Sequence, residues 1–377
     1  MLSIIIYIFI TAFLLSFLVM PVVIHLLTKW RIMDVGGRRK IHKGFTPSMG
    51  GIGICVGFLI SIMIWVPPTY WLPYRYLLFG VFIIFITGLR DDVVSLSPRG
   101  KLVMQILAAY IVVWSGGNEM NMRITSLGGF CGITELPMVV SYLLSIFVIV
   151  AITNAFNLID GLDGLAAAIG LLAFTLLAAW FFATRSVSNT NIVFVFFLVA
   201  LIGSILAFLC FNWHPASIFM GDTGSLFIGF FLSVALIKFV SINNDPAFVS
   251  EYKFHAPIAA AIVIAFLPLF DTARVFLLRI SQHRSPFLPD RQHTHHLLLH
   301  IGLTHAHITI LMSVLYLCFA AVIYFLLMHT PLSDNVFVPF IIVCGAASHF
   351  FLHFAVHFLM DRHRAIIHRK IVAAECY

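Results

Sequence analysis

Residues 192–240 read IVFVFFLVALIGSILAFLCFNWHPASIFMGDTGSLFIGFFLSVALIKFV. Two apolar runs, Ile192–Phe211 and Gly224–Val240, flank a short polar hinge that carries Asp222. An apolar run of about 20 residues is long enough to cross a bilayer as a helix. The same alternation continues in both directions along the chain. The other runs are Leu2–Leu27, Met49–Val66, Tyr76–Leu89, Leu102–Ser115, Met138–Phe156, Leu165–Ala183, Ala256–Ile280, Ile308–Met328 and Val336–Phe358, which brings the total to eleven. The chain is 61% hydrophobic and 10% charged, with a mean hydropathy of +1.05. A soluble domain carries about 25% charged residues. This much apolar surface is buried only with the help of lipid. The expected fold is an all-α polytopic membrane protein, a bundle of about eleven transmembrane helices.

The charges set the orientation. With eleven spans, alternate loops lie on opposite sides, and most of the 22 Lys and Arg residues fall in one set. That set holds Lys29 to Lys43, Arg90 to Lys101, Arg274 to Arg291 and Arg362 to Lys370. The positive-inside rule places it in the cytoplasm. The N-terminus is then periplasmic and the C-terminus cytoplasmic. The net charge of +7 is mostly this topology signal, with some affinity for anionic lipid or phosphate, and no nucleic-acid partner is expected. The first run lacks a basic leader and a small-residue cleavage site, so it reads as a retained helix. The six cysteines show no paired spacing, and most lie in apolar runs as small hydrophobes. Residues 1–358 read as one transmembrane domain and residues 359–377 as a basic cytoplasmic tail, an interfacial helix.

Ionisable groups at membrane depth are costly and mark function. Asp91 and Asp92 end the third run, Asp160 and Asp163 follow the fifth in NAFNLIDGLDGL, and Asp222 follows the seventh. Parity brings all three clusters to the cytoplasmic face. Adjacent carboxylates repel unless a cation or proton compensates, so Asp91 and Asp92 read either as a site or as partners of Arg90 or Lys101. Asn154 and Asn157 add amides beside Asp160, which otherwise reads as an N-cap of the sixth run. In FMGDTGS, Asp222 is a candidate Mg²⁺ ligand, since that hard cation takes oxygen donors and bridges to phosphates; an N-cap box is the alternative. Asp271 reads as a support residue paired with Arg274 or Arg279. His293, His295 and His296 fit phosphate contact together with Arg284 or Arg291 better than a zinc site. His349, His353 and His357 form a stripe that reads as a packed helix face. The loop Gly36 to Lys43 faces phosphate or serves topology.

Taken together, HKGFTPSMGGIG, GLRDD, NAFNLIDGLDGLA, FNWHPASIFMGDTGSL and PDRQHTHHLL resemble the polyprenyl-phosphate N-acetylhexosamine-1-phosphate transferase family over about His42 to Leu303. The resemblance implies a bundle of ten or eleven helices in the bacterial inner membrane with a cytoplasmic active site. It implies the reaction UDP-sugar + polyprenyl phosphate → polyprenyl-pyrophosphoryl-sugar + UMP, with Mg²⁺, for which Mn²⁺ substitutes. By that resemblance Lys43 contacts substrate, and Asp91 and Asp92 are the paired aspartates, Asp91 being the candidate base. Asn157, Asp160 and Asp163 form the nucleotide-side cluster, Asn212 lies near the metal, and Asp222 binds it. Phe219 stacks on uracil, and His295 and His296 are the histidine pair. Asp91, Asp92, Asp163, His295 and His296 are the expected catalytic set. Lys43, Asn154, Asn157, Asp160, Asn212, Phe219, Arg284, Arg291 and His293 are the expected substrate contacts.

The segment PDRQHTHHLL looks like the branch that uses UDP-N-acetylglucosamine and undecaprenyl phosphate to initiate O-antigen, common-antigen or teichoic-acid synthesis. The phospho-N-acetylmuramoyl-pentapeptide branch carries three consecutive histidines there and a lysine soon after the aspartate pair. Here the next lysine is Lys101, whose role stays unassigned. A homodimer is compatible with such a bundle. The competing class, an ion-coupled secondary transporter, calls for midplane charges reachable from both sides. The acids here cluster at one set of helix ends.

Overall fold

The computed structural model of the chain describes residues 1–31, 46–114, 122–285, 293–348, 350, 351 and 354. Lys43, Arg291, His349, His353, His357 and the basic tail lie outside them.

Within the described residues, the apolar runs are largely helical. In chain order these are α1 (Leu2–Lys29), α2 (Gly51–Trp65), the short α3 (Pro68–Trp71), α4 (Arg75–Val93), α5 (Pro98–Trp114), α6 (Met138–Ile159), α7 (Leu165–Ala183), α8 (Asn189–Asn212), α9 (Gly221–Asn244), α10 (Pro257–Ile264), α11 (Phe266–Ser281), α12 (Thr294–His300) and α13 (His305–His329), followed by α14 (Asp334–Ser348). Lipid offers backbone groups no partners, so a chain that crosses it satisfies them internally, as helices do. Seven helices among the described residues are long and apolar enough to span, or eight if the bent pair α10–α11 is one span. The expected count of eleven is not reached by length and composition among the described residues: α2 and α14 are short apolar helices, and α5 has only 17 residues.

α9 is the axis. It packs against α2, α4, α6, α7 and α10, and 83% of its most apolar window is buried. The edge-to-face rings of Phe58, Phe197 and Phe231 fill the space between α2, α8 and α9. Leu14, Phe82, Phe147 and Leu311 point outward, as lipid-facing residues should.

Two departures from the sequence expectation have physical causes. The ninth run is not one helix, because α10 and α11 meet at 80°. Pro268 has no N–H and its ring clashes with the carbonyl four residues back, here that of Ile264. The chain breaks at Ala265, and the Tyr316 hydroxyl of α13 donates to the freed Ile264 carbonyl at 2.8 Å. The second departure is a small antiparallel hairpin, β1 (Ser126–Phe130) and β2 (Ile133–Glu135). It is positioned by Asn335, whose amide donates to the Gly129 carbonyl and accepts from the Cys131 N–H. Asn244 at the end of α9 also donates to the Ser126 carbonyl. The hairpin therefore lies at the end of the bundle where α9 finishes. The acidic loops gather at the end where α9 begins.

Candidate active site

The first turn of a helix leaves N–H groups without intrahelical partners. In α9 they are met by a carboxylate from another helix. Asp92, in the last turn of α4, accepts from the Asp222 N–H at 2.9 Å with Oδ1, and from the Thr223 N–H at 2.9 Å and Thr223 Oγ1 at 2.5 Å with Oδ2. The negative end of this cap also matches the helix dipole. The approach depends on three glycines. A Cβ on Gly221, at φ +69°, would stand 2.5 Å from Asp92 Oδ2; one on Gly88 would stand 2.5 Å from the Asp222 carbonyl oxygen; one on Gly51 would stand 2.2 Å from the Gly224 nitrogen. Asp222 is thus not the cap of its helix. Its backbone is capped and its side chain is turned outward.

That side chain is surrounded by polar groups. Asn157 Nδ2 donates to Asp222 Oδ1 at 2.7 Å and to Ser225 Oγ at 2.8 Å. Lys101 Nζ, from the first turn of α5, makes a short contact with Asp222 Oδ2 and lies 3.5 Å from Asp91 Oδ2. The other oxygen of Asp91 accepts from the Leu96 N–H at 2.5 Å. Two carboxylates from helices distant in sequence therefore converge on one ammonium. This donor set, with the Asn157 amide alongside, fits a hard divalent cation.

The Asp160–Gly164 turn lies beside this group. Asp160 is not an N-cap, since Gly164, at φ +76°, occupies that position for α7. Burial, and then the charges of Asp222, Asp92 and Asp163, push the Asp160 carboxyl up to about 8. Asp163 is buried. Its Oδ2 lies 2.7 Å from His214 Nδ1 and accepts from the Ala216 N–H at 3.3 Å, and its Oδ1 lies 3.2 Å from His305 Nδ1. Asn212 is a brace: it accepts from the Gly164 N–H at 2.9 Å and donates to the Ile218 carbonyl at 2.8 Å. Asn154 exchanges amide hydrogen bonds with Gln105 of α5 at 2.6 and 3.2 Å, so it ties α6 to α5.

Asp271 repeats the cross-helix cap. It accepts from the Thr294 N–H at 2.9 Å and Thr294 Oγ1 at 2.6 Å, holds His293 Nδ1 at 2.7 Å, and pairs with Arg274 at 3.3 Å. The support role and the Arg274 partner match the sequence reading. This cap orients α12 so that His295 faces the acidic turn, where a Cβ on Gly161 would lie 2.4 Å from His295 Nε2. Burial, and then the neighbouring His296, pull the His295 imidazole down to about 3. The fold thereby disfavours the protonated form of this ring. The ring centroids of His295 and His296 are 4.3 Å apart. Arg284 is exposed beyond α11.

The profile of glycosyl transferase family 4 matches residues 74–240, which contain the aspartate pair, the Asp160 turn and Asp222. A Bacillus subtilis (strain 168) protein named probable undecaprenyl-phosphate N-acetylglucosaminyl 1-phosphate transferase is 32% identical over 299 residues, 79% of this chain and 78% of the relative. The chain belongs to glycosyl transferase family 4. The decaprenyl-phosphate N-acetylglucosaminephosphotransferase of Mycobacterium leprae is 33% identical over 288 residues, 72% of this chain and 71% of that protein. The undecaprenyl-phosphate alpha-N-acetylglucosaminyl 1-phosphate transferase of Escherichia coli K12 is 29% identical over 282 residues, 72% and 70% of the two chains. This family 4 member is therefore a sugar-phosphate transferase and a multi-pass bacterial membrane protein.

Within the family 4 site, the structure brings together Asp91, Asp92, Asn157, Asp160, Asp163, Asp222 and His295. It places Asn154 and Asn212 as braces and His293 as a partner of Asp271. Phe219 is half-buried. Its N–H donates to the Pro47 carbonyl at 2.8 Å, and its carbonyl accepts from the Gly50 N–H at 2.9 Å, which joins the segment before α2 to the hinge. Sequence reasoning named Lys101 only as a possible partner of the aspartate pair, and missed Gln105, His214 and His305. Only Lys101 carried a signal, as the first lysine after the aspartate pair.

Proposed function

We propose that this transferase moves N-acetylglucosamine-1-phosphate from UDP-N-acetylglucosamine to undecaprenyl phosphate and releases UMP. The step would open cell-envelope polysaccharide synthesis at the cytoplasmic face of the inner membrane. An oxygen of the lipid phosphate attacks the β-phosphorus of the sugar nucleotide, one P–O–P linkage forms, the linkage to the α-phosphorus breaks, and UMP departs. A pyrophosphate is exchanged for a pyrophosphate, so the barrier is mainly the approach of two anions. The observation that carries the reading is the convergence of Asp91 and Asp222 on one cation position beside Asn157 and the Asp160 turn.

Asp222 and Asp91 would hold Mg²⁺ there, which when bound supplies charge neutralisation on the diphosphate. The residues of the chain do the rest. Asn157 fixes the rotamer of Asp222. Lys101 adds positive charge next to the reacting phosphates. Asp91, kept in place by the Leu96 N–H, is the candidate base toward the lipid phosphate. That phosphate is already largely ionised at neutral pH, with a second pKa of about 6, so positioning contributes more than proton removal. The matched relatives, named as N-acetylglucosamine-phosphate transferases for undecaprenyl or decaprenyl phosphate, support the transferred group and the acceptor. The lysine-poor stretch after Asp92 argues for the N-acetylglucosamine branch.

The test is UMP release by purified protein in detergent with Mg²⁺, undecaprenyl phosphate and UDP-N-acetylglucosamine. Lipid- and Mg²⁺-dependent release is expected, with Asp222→Ala lowering it by roughly a hundredfold or more, the scale of losing one charge-stabilising group. UMP only from another UDP-sugar would move the substrate. No UMP from any donor, in folded protein, would sink the reading.

A further inference from the structure

Asp163, His214 and His305 come from three segments that meet only in the folded protein: the Asp160–Gly164 turn, the hinge between α8 and α9, and the start of α13. Their candidate ligand atoms, a carboxylate oxygen and two imidazole nitrogens, all lie within 4.8 Å of one another. The carboxylate stands 2.7 Å from His214 Nδ1 and 3.2 Å from His305 Nδ1, and the two rings lie 5.0 Å apart. We infer that this trio is a transition-metal site, most suited to Zn²⁺, separate from the Asp222 position.

Chemistry and geometry both support it. Two imidazoles and one carboxylate suit zinc, whereas magnesium prefers all-oxygen surroundings. Bonds of about 2.0–2.2 Å in a tetrahedron set ligand atoms roughly 3.3 Å apart, so a trio within 4.8 Å closes on an ion by drawing its widest pair together by up to about 1.5 Å, a movement the exposed His214 ring can make. The hydrogen-bond alternative leaves a conflict. His305 Nδ1 faces both the Asp163 N–H, at 3.4 Å, and the Asp163 Oδ1. A bare Nδ1 accepts the first but meets the carboxylate lone pair to lone pair; a protonated Nδ1 serves the carboxylate but opposes the N–H. A cation shared by Nδ1 and Oδ1 removes the clash between lone pairs. Asp163 and His305 are buried while His214 is 37% exposed at its side chain, so the remaining coordination position opens toward water on the His214 side. The Thr309 hydroxyl donates to the Asp163 carbonyl at 3.0 Å and steadies the turn from behind. The ion would fasten the hinge before Asp222, and α13, to the turn that carries Asp160.

The experiment uses the full chain without a polyhistidine tag, purified in detergent. Metal content is measured by mass spectrometry, and the chelator-stripped protein is titrated with Co²⁺ and followed by visible absorption. Near-stoichiometric zinc, and intense tetrahedral cobalt bands, are expected in the wild type, in Asp222→Ala and in His295→Gln. In His214→Ala, whose exposed side chain makes misfolding least expected, affinity should fall roughly tenfold or more, since losing a ligand costs at least as much as losing an outer-shell partner. His305→Gln should behave alike. Zinc retained in His214→Ala, zinc lost only in His295→Gln, or no tetrahedral cobalt spectrum in folded wild type would each overturn the inference.

Discussion

Lys101 is the residue whose position most changes the reading of the site. Its ammonium lies where a divalent cation would lie, between Asp91 and Asp222. Two carboxylates left without it would repel each other. Lys101→Met is expected to lower turnover by about a hundredfold to a thousandfold, the range for removing a group that stabilises developing charge. It should also shift half-saturation to lower Mg²⁺, because the competing ammonium is gone; a Mg²⁺ titration of UMP release checks both. His295 makes a second prediction. Its pKa in the fold, about 3, lies below the free value of about 6.5. The folded state holds the ring neutral, so its contribution is full above the free value and is lost as pH falls from there toward 3. At pH 5 the loss is about 2 kcal/mol by proton linkage. His295→Gln should flatten the decline of Tm between pH 7 and pH 5; an unchanged decline would assign it to other groups.

At the scale of elements, the site is assembled by helix ends that approach to backbone contact. Gly88 of α4 leaves no room for a methyl group against the Asp222 carbonyl. Gly88→Ala is expected to cost about 1–3 kcal/mol, as overpacking does. It should also lower turnover by moving Asp222, and thermal denaturation beside the UMP assay separates the two effects. Much of this was legible in the sequence. The apolar runs marked the helices to within a few residues, and loop parity put Asp91, Asp92, Asp160, Asp163 and Asp222 at one end, because charges and lipid length leave a distinctive pattern. What the residues do there was less legible. Asn154 looks like a substrate amide until Gln105, 49 positions away, is seen across from it. Asp92 looks like half of a catalytic pair until the start of α9, 130 positions on, lies against it. Such partners depend on which helices pack together, and no local spacing encodes that. The α10–α11 break was not read from the unbroken apolar run Ala256–Ile280; Pro268 stands at it, and the Tyr316 hydroxyl donates to the Ile264 carbonyl freed there.

At the scale of the molecule, one device recurs. Asp92 caps α9, Asp271 caps α12, and Asp334 caps α10 through the Ile258 and Ala259 N–H groups at 3.3 and 2.8 Å. In each case the carboxylate belongs to a different helix. A buried N–H left without its acceptor costs about 1–3 kcal/mol, so Asp334→Ala, at the end far from the reaction, is expected to lower thermal stability by that amount while leaving the substrate KM unchanged; a raised KM would contradict the separation of the two ends. The caps also impose an order on biogenesis. Asp92 emerges from the ribosome long before the helix it completes, and α10 is made before Asp334 exists. Each intermediate therefore enters the bilayer with a raw helix start or an unmatched acid. The bundle cannot be finished piecemeal as its helices are inserted, and its last closures wait until α14 has been translated.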